Sequence, residues 1–306
     1  MQTRKNTWLA SYILLGVIWG SSFLFIHEGL AMLPPIGLVF WRLFSGAIVL
    51  AVIVKVRGIK VTRNPRHWLL IGFGGLFMNS IPFTLFAFGQ QHVTSILASI
   101  INATTPIMTL LALLTLFRSE KLRPNVIWGL LVGAAGVMVV LAVWQGFGDN
   151  DPIAVLCLLT ATLCYGIGGP FIVRFVSPLK LPNEQTAFVQ MTVAAIAVLP
   201  FYLSGPLMTA PATWAPVASV LALGALGSGF AYVLFYSVIN QAGSAIANSV
   251  TYITPLVAVL LGVLLLGEPV YWYEPVGAVV VVVGALISQG RLPAIAAWFR
   301  SIGSKR

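Results

Sequence analysis

Few residues of this chain could do chemistry, and they are polar groups set in apolar text. Ser95, Ala98, Ser99 and Asn102 recur at i,i+3 and i,i+4 spacing, which places them on one helix face. Ser244, Ala247, Asn248 and Thr251 repeat the pattern. Each row runs into a Thr-Pro pair, at Pro106 and at Pro255. Proline removes a backbone donor and frees the carbonyl four residues back, here those of Asn102 and Thr251. Such rows offer hydrogen bonds to a small solute from two helices bent at their prolines. Small residues at this spacing also let membrane helices pack closely, so both readings stay open. Asn102 and Asn248 are larger than tight packing needs.

Arg42 is the one charge well inside an apolar run. An unpaired cation at such depth costs about 2.5–3.5 kcal/mol or more, and every Asp and Glu lies in a loop or at the end of a run, none deep enough to pair with it. Helix carbonyls, Asn, Gln or a substrate carboxylate must serve. Contact with substrate or gate stands against structural anchoring. Aromatic residues fall near the same positions: Trp19 and Phe23 one turn apart, Phe83, Tyr165, Tyr232 with Tyr236 one turn on, and Tyr252. They would suit a cavity wall or a gate, and lipid contact or packing is the plainer role for any one of them. Asn79 and Ser228 add polar groups to the third and eighth runs. Chemistry of other kinds lacks its parts. There are no embedded paired acids, no His/Glu metal set, no nucleophile with a base and no phosphate-binding loop. No cofactor or metal is expected. Cys157 and Cys164 read as packing residues.

The elements that must position these groups are membrane helices. Hydrophobic residues make up 59% of the 306 and charged ones 8%, far below the roughly 25% of soluble domains. Apolar runs long enough to span about 30 Å of hydrocarbon occur near 7–26, 35–54, 68–88, 93–116, 126–143, 153–173, 186–203, 217–239, 244–266 and 272–288. They do not alternate as barrel strands would. The first run lacks a convincing cleavage site and reads as a retained span. Every Lys and Arg except Arg42 then falls in segments on one side, which the positive-inside rule makes cytoplasmic. Ten spans follow, with both termini inside. The net charge of +10 is shared among short loops, so no nucleic acid is expected. The basic tail 291–306, with its Trp-Phe-Arg stretch, reads as an interfacial helix or a disordered end.

The two polar rows are copies. The segment from Ser95 to Pro106 returns 149 residues later, from Ser244 to Pro255. Leu85-Phe86 and Leu234-Phe235 share that offset. Glu120, Gly129 and Gly136 match Glu268, Gly277 and Gly284 at 148, and Trp19-Gly20 matches Tyr165-Gly166 at 146. Gln190 stands where Arg42 stands. Five spans per half is an odd number, so two homologous halves must be inverted relative to one another. The glycines, with Gly133, permit close approach of helices, within one chain or in a homodimer.

Ten spans in two repeats, Trp19-Gly20-Ser21-Ser22-Phe23, Phe40-Trp41-Arg42, Thr105-Pro106, and Glu120 with Gly129 and Gly136 resemble the EamA-type members of the drug/metabolite transporter superfamily. The resemblance covers residues 8–288. It implies an all-α membrane protein of two inverted five-helix repeats, 7–144 and 152–290, in the cell membrane. It further implies export of amino acids, related metabolites or xenobiotics through a cavity between the repeats. Tyr165 and Gln190 depart from the pattern and mark diverged halves. Coupling is not legible. His27, Glu28 and His92 sit at span ends, as a peripheral proton site or as solvated groups. Proton antiport, exchange and facilitated diffusion all stay open. A strongly cationic substrate is disfavoured for want of a buried carboxylate. An intramembrane enzyme lacks its residues, and a channel would need a repeated filter.

Overall fold

In a computed structural model of the chain, the described residues are 7–118, 124–145, 151–242, 247 and 249–288. Glu120, Ser244, Asn248, Arg4, Lys5 and the tail from Arg291 lie outside them. Among the described residues the structure is all-helical, without a strand. The first half has α1 (Thr7–Leu30), α2 (Pro35–Val56), α3 (Pro65–Gly75) continuing into α4 (Ile81–Gly89), α5 (Ser95–Asn102) followed by α6 (Thr105–Thr115), and α7 (Pro124–Val140). The second has α8 (Pro152–Phe171), α9 (Asn183–Leu203), α10 (Trp214–Gly224) continuing into α11 (Ala231–Ala242), α12 (Thr254–Leu261) and α13 (Tyr273–Ser288).

Local chemistry starts these helices. Prolines stand in the first turn of α2, α3 and α8, where a missing N–H costs nothing. Asn64, Thr94 and Asp151 cap α3, α5 and α8 by accepting from the backbone N–H of Arg66, Leu97 and Ile153 at 2.9, 3.1 and 2.8 Å. Eight helical stretches are long and apolar enough to cross a bilayer, which makes this a multi-pass membrane protein. The remaining two, α7 and α13, have 17 and 16 residues. At 1.5 Å per residue they reach about 24–26 Å.

Packing pairs the halves. α2 lies against α9 and α7 against α13. α1 packs on α10 and α11 as α8 packs on α3 and α4, and α1 meets α12 as α8 meets α6. Exchanging the halves maps this set of contacts onto itself. The sequence left the glycines open between a seam within the chain and a dimer contact, and the structure uses them within the chain. A Cβ on Gly284 would stand 2.4 Å from the Gly133 nitrogen, and one on Gly136 would stand 2.6 Å from that of Val281. One on Gly277 would stand 2.7 Å from that of Val140. The backbones of α7 and α13 touch along this line.

The prolines do more than bend their helices. The fourth span breaks: α5 ends at Asn102, and Pro106 sits in the first turn of α6. In the ninth, a 3-10 turn at Ser249–Tyr252 precedes α12, with Pro255 in its first turn. The carbonyls that proline frees are satisfied locally. Thr105 Oγ1 donates to the Asn102 oxygen at 2.7 Å, and Thr254 Oγ1 donates to that of Thr251 at 2.9 Å. A threonine before each proline replaces the lost donor and lets the chain turn without leaving a buried acceptor unpaired.

Candidate functional site

A cavity lies between the halves, where α1, α2, α4, α8 and α11 surround the two broken spans. Counted with its mouth, it holds about 730 Å³ of empty space. Much of its wall consists of matched residues from the two halves. Trp19 faces it with Tyr165, Phe83 with Tyr232, Phe86 with Phe235, and Asn102 with Thr251. Phe23 and Arg42 complete the sequence-predicted lining, and Ser22, Ile26, Met78 and Thr105 add to it. The aromatic groups form two sets. Phe86 meets Phe23 edge-on at 5.9 Å and stacks with Tyr165 at 6.1 Å. Trp19 contacts Tyr232 at 5.8 Å and Phe235 at 5.3 Å. Trp19 Nε1 is held by the Gly227 carbonyl at 3.1 Å, which fixes the ring as a wall.

Arg42 is 6% exposed. Its Nε donates to Ser228 Oγ at 2.9 Å, and the guanidinium carbon lies 3.5 Å from the centre of the Phe83 ring. Among the described residues no carboxylate comes within ion-pair distance of it. Arg42 lies seven residues into its helix from Pro35, about 10 Å down the axis, and turns inward to the cavity instead of outward to the interface.

Three predicted residues, Asn79, Tyr236 and Tyr252, are not part of the lining. Asn79 and Tyr236 belong to a buried network with Gln190. Gln190 Nε2 donates to Asn79 Oδ1 and Tyr236 Oη donates to Gln190 Oε1, both at 2.5 Å. Asn79 Nδ2 donates to Tyr232 Oη at 2.8 Å, and that hydroxyl donates to the Met78 carbonyl at 2.9 Å. These polar groups satisfy one another, which is why they do not face open space. Tyr252 sits half-buried against Ala103, Ile107 and Val281, away from the lining. Asn248 lies outside the described residues.

The two polar centres are equivalent. Gln190 holds the place of Arg42, and Asn79 holds the place of Ser228. The bond from Arg42 to Ser228 and the bond from Gln190 to Asn79 are therefore one contact made twice. Asn79 and Ser228 both stand in single π-helical turns, Leu76–Ser80 and Ala225–Phe230, at the same point of the two halves. Such turns re-aim side chains and recur at functional sites. The matched Asn79 and Ser228 were legible in the sequence. Their partners were not, because helical periodicity does not say which polar faces meet.

Near Phe23 polar ties join the first, third and fourth spans. Gln90 Nε2 donates to the Phe23 carbonyl at 3.1 Å and to Ser95 Oγ at 3.3 Å. Glu268 accepts from the backbone N–H of Ser95 and Ile96 at 2.8 and 3.1 Å, capping α5 from the other half. Its role was missed; the signal was its match with Glu120. Toward the opposite end Tyr12 and Ser249 share a hydrogen bond of 3.0 Å, and Arg57 pairs with Glu184. His27 and His92 are exposed and Glu28 is partly so, all outside the cavity lining.

The profile of the EamA-like transporter family matches the chain twice, over residues 6–142 and 152–289. The uncharacterized transporter YoaV of Bacillus subtilis (strain 168) is 25% identical over 90% of this chain and 96% of its own. The uncharacterized inner membrane transporter YedA of Escherichia coli (strain K12) is 26% identical over 83% of this chain and 81% of its own. Protein PagO of Salmonella typhimurium (strain LT2) is 24% identical over 93% of each. A crystal structure at 22% identity superposes with a TM-score of 0.67, covering 94% of this chain and 97% of its own; it shares the fold.

Proposed function

The chain belongs to the EamA-like transporter family and is a membrane transporter; from that premise we propose that it carries small metabolites across the cell membrane by alternating access. Two inverted five-helix repeats, 7–144 and 152–290, form ten spans with both termini cytoplasmic. The cavity they share is the substrate site. The observation that carries this is the paired lining: Trp19 with Tyr165, Phe83 with Tyr232, Phe86 with Phe235 and Asn102 with Thr251. A site built equally from inverted halves can be exposed to either side by rocking one half against the other. Amino acids and related metabolites are the substrates, and export is the direction. Both come from the resemblance, and the aromatic wall favours solutes with an apolar body.

A second reading, export or facilitated passage of xenobiotics, draws on the same wall, since aromatic faces accept many shapes. Catalysis finds no support in the lining, which holds one cation, hydroxyls, an amide and apolar groups. Reconstitution into proteoliposomes tests the proposal. Flux of labelled amino acids and drugs is followed down a substrate gradient, with and without a pH gradient. Saturable flux of a small solute supports transport, and its change with the pH gradient distinguishes antiport from facilitated passage. Absence of flux across the whole panel from correctly folded protein contradicts it.

A further inference from the structure

We propose that the cavity recognises an organic anion, a carboxylate on an apolar or aromatic body, through Arg42, and that no ammonium group is required. This deepens the transport proposal and rests on it.

A guanidinium has five N–H donors. Ser228 takes one of them, and among the described residues no other group accepts from the rest. The stacked face of Phe83 stabilises the charge without using those donors. Four donors of a residue 6% exposed thus stand at the wall of a cavity whose lining contains no acid. Planar paired donors match the two oxygens of a carboxylate. Charge sign decides the class: one fixed cation attracts an anion and repels a cation in a site poor in water.

The rest of the lining fits the body of such a molecule. Phe23, Phe86 and Tyr165 form one aromatic set, and Trp19, Tyr232 and Phe235 form the other. For an amino-acid ammonium the lining supplies no carboxylate, and its side-chain oxygens are the neutral ones of Ser22, Asn102, Thr105, Tyr165, Tyr232 and Thr251. The equivalent place in the other half carries Gln190, fully buried, with its amide nitrogen bonded to Asn79 and its amide oxygen to Tyr236. One anion site per transporter follows, on the Arg42 side.

The test is calorimetric titration of the full chain in nanodiscs with hydrocinnamate, its neutral amide and phenylalanine. Hydrocinnamate is expected to bind about tenfold or more tighter than the amide, the range of a hydrogen-bonded charge, and at least as tightly as phenylalanine. Arg42→Gln is expected to erase the preference over the amide, and Arg42→Lys to keep part of it. Equal binding of acid and amide, binding of phenylalanine alone, no binding of hydrocinnamate, or a preference that survives in a folded Arg42→Gln protein overturns the inference. Should Arg42→Gln fail to fold, the acid-to-amide ratio of the unaltered protein decides. Flux from the same preparations separates the two proposals. Transport without carboxylate preference overturns this inference alone, whereas anion binding without transport of any solute overturns the transport reading.

Discussion

Arg42 and Gln190 occupy equivalent places with different surroundings. Arg42 has a cavity in front of it; Gln190 is enclosed, with its amide oxygen taken by Tyr236 and its nitrogen by Asn79. Gln190→Leu strands both partners. A loss of about 1 kcal/mol is expected, within the range of hydrogen bonds inside membranes, read as a lower melting temperature in detergent. Gln190→Arg should be far worse, since a second cation would find only neutral acceptors, Asn79 and Tyr236, and no open space around a fully buried position; no monodisperse folded protein is the expected outcome. Most of the lining was legible in single residues, because Trp19, Phe83 and Asn102 have mates at fixed offsets. Asn79 and Tyr236 lie in a buried network beside the cavity. Residue type and spacing identify a polar face, but whether it meets empty space or another polar face depends on how the helices are rotated.

At the scale of elements, the breaks at Asn102–Thr105 and Thr251–Thr254 and the two π-helical turns are what aim side chains at the centre. Their positions are readable from Thr-Pro and from the repeat. Breaks in place of bends were not readable, because that outcome turns on threonine hydroxyls that bond the freed carbonyls. The α7–α13 seam depends on absent side chains. Gly284→Ala places a methyl carbon 2.4 Å from the Gly133 nitrogen, where backbone must shift. A cost of about 1–3 kcal/mol is expected, measured in the same melt. Glu268→Ala removes the acceptor for the first N–H groups of α5. The loss expected of a missing cap is about 0.5–2 kcal/mol, read in the same melt.

For the whole molecule, the duplicated sequence and the segregated charges already implied two units of opposite orientation. What they could not supply is asymmetry: why one polar centre opens to the cavity and its twin is sealed. In the proposed function, that difference is what would let one pseudo-symmetric frame bind one substrate. The most direct check of the central claim, that the cavity between the halves is the transport path, is chemical. With Cys157 and Cys164 replaced by Ser, Thr251→Cys is reconstituted and modified with a bulky thiol reagent after folding, so that misfolding is not the cause of any loss. The account predicts that modification stops substrate flux, that substrate protects the thiol, and that the cysteine-free parent is unaffected by the reagent. Undiminished flux after complete modification would contradict it.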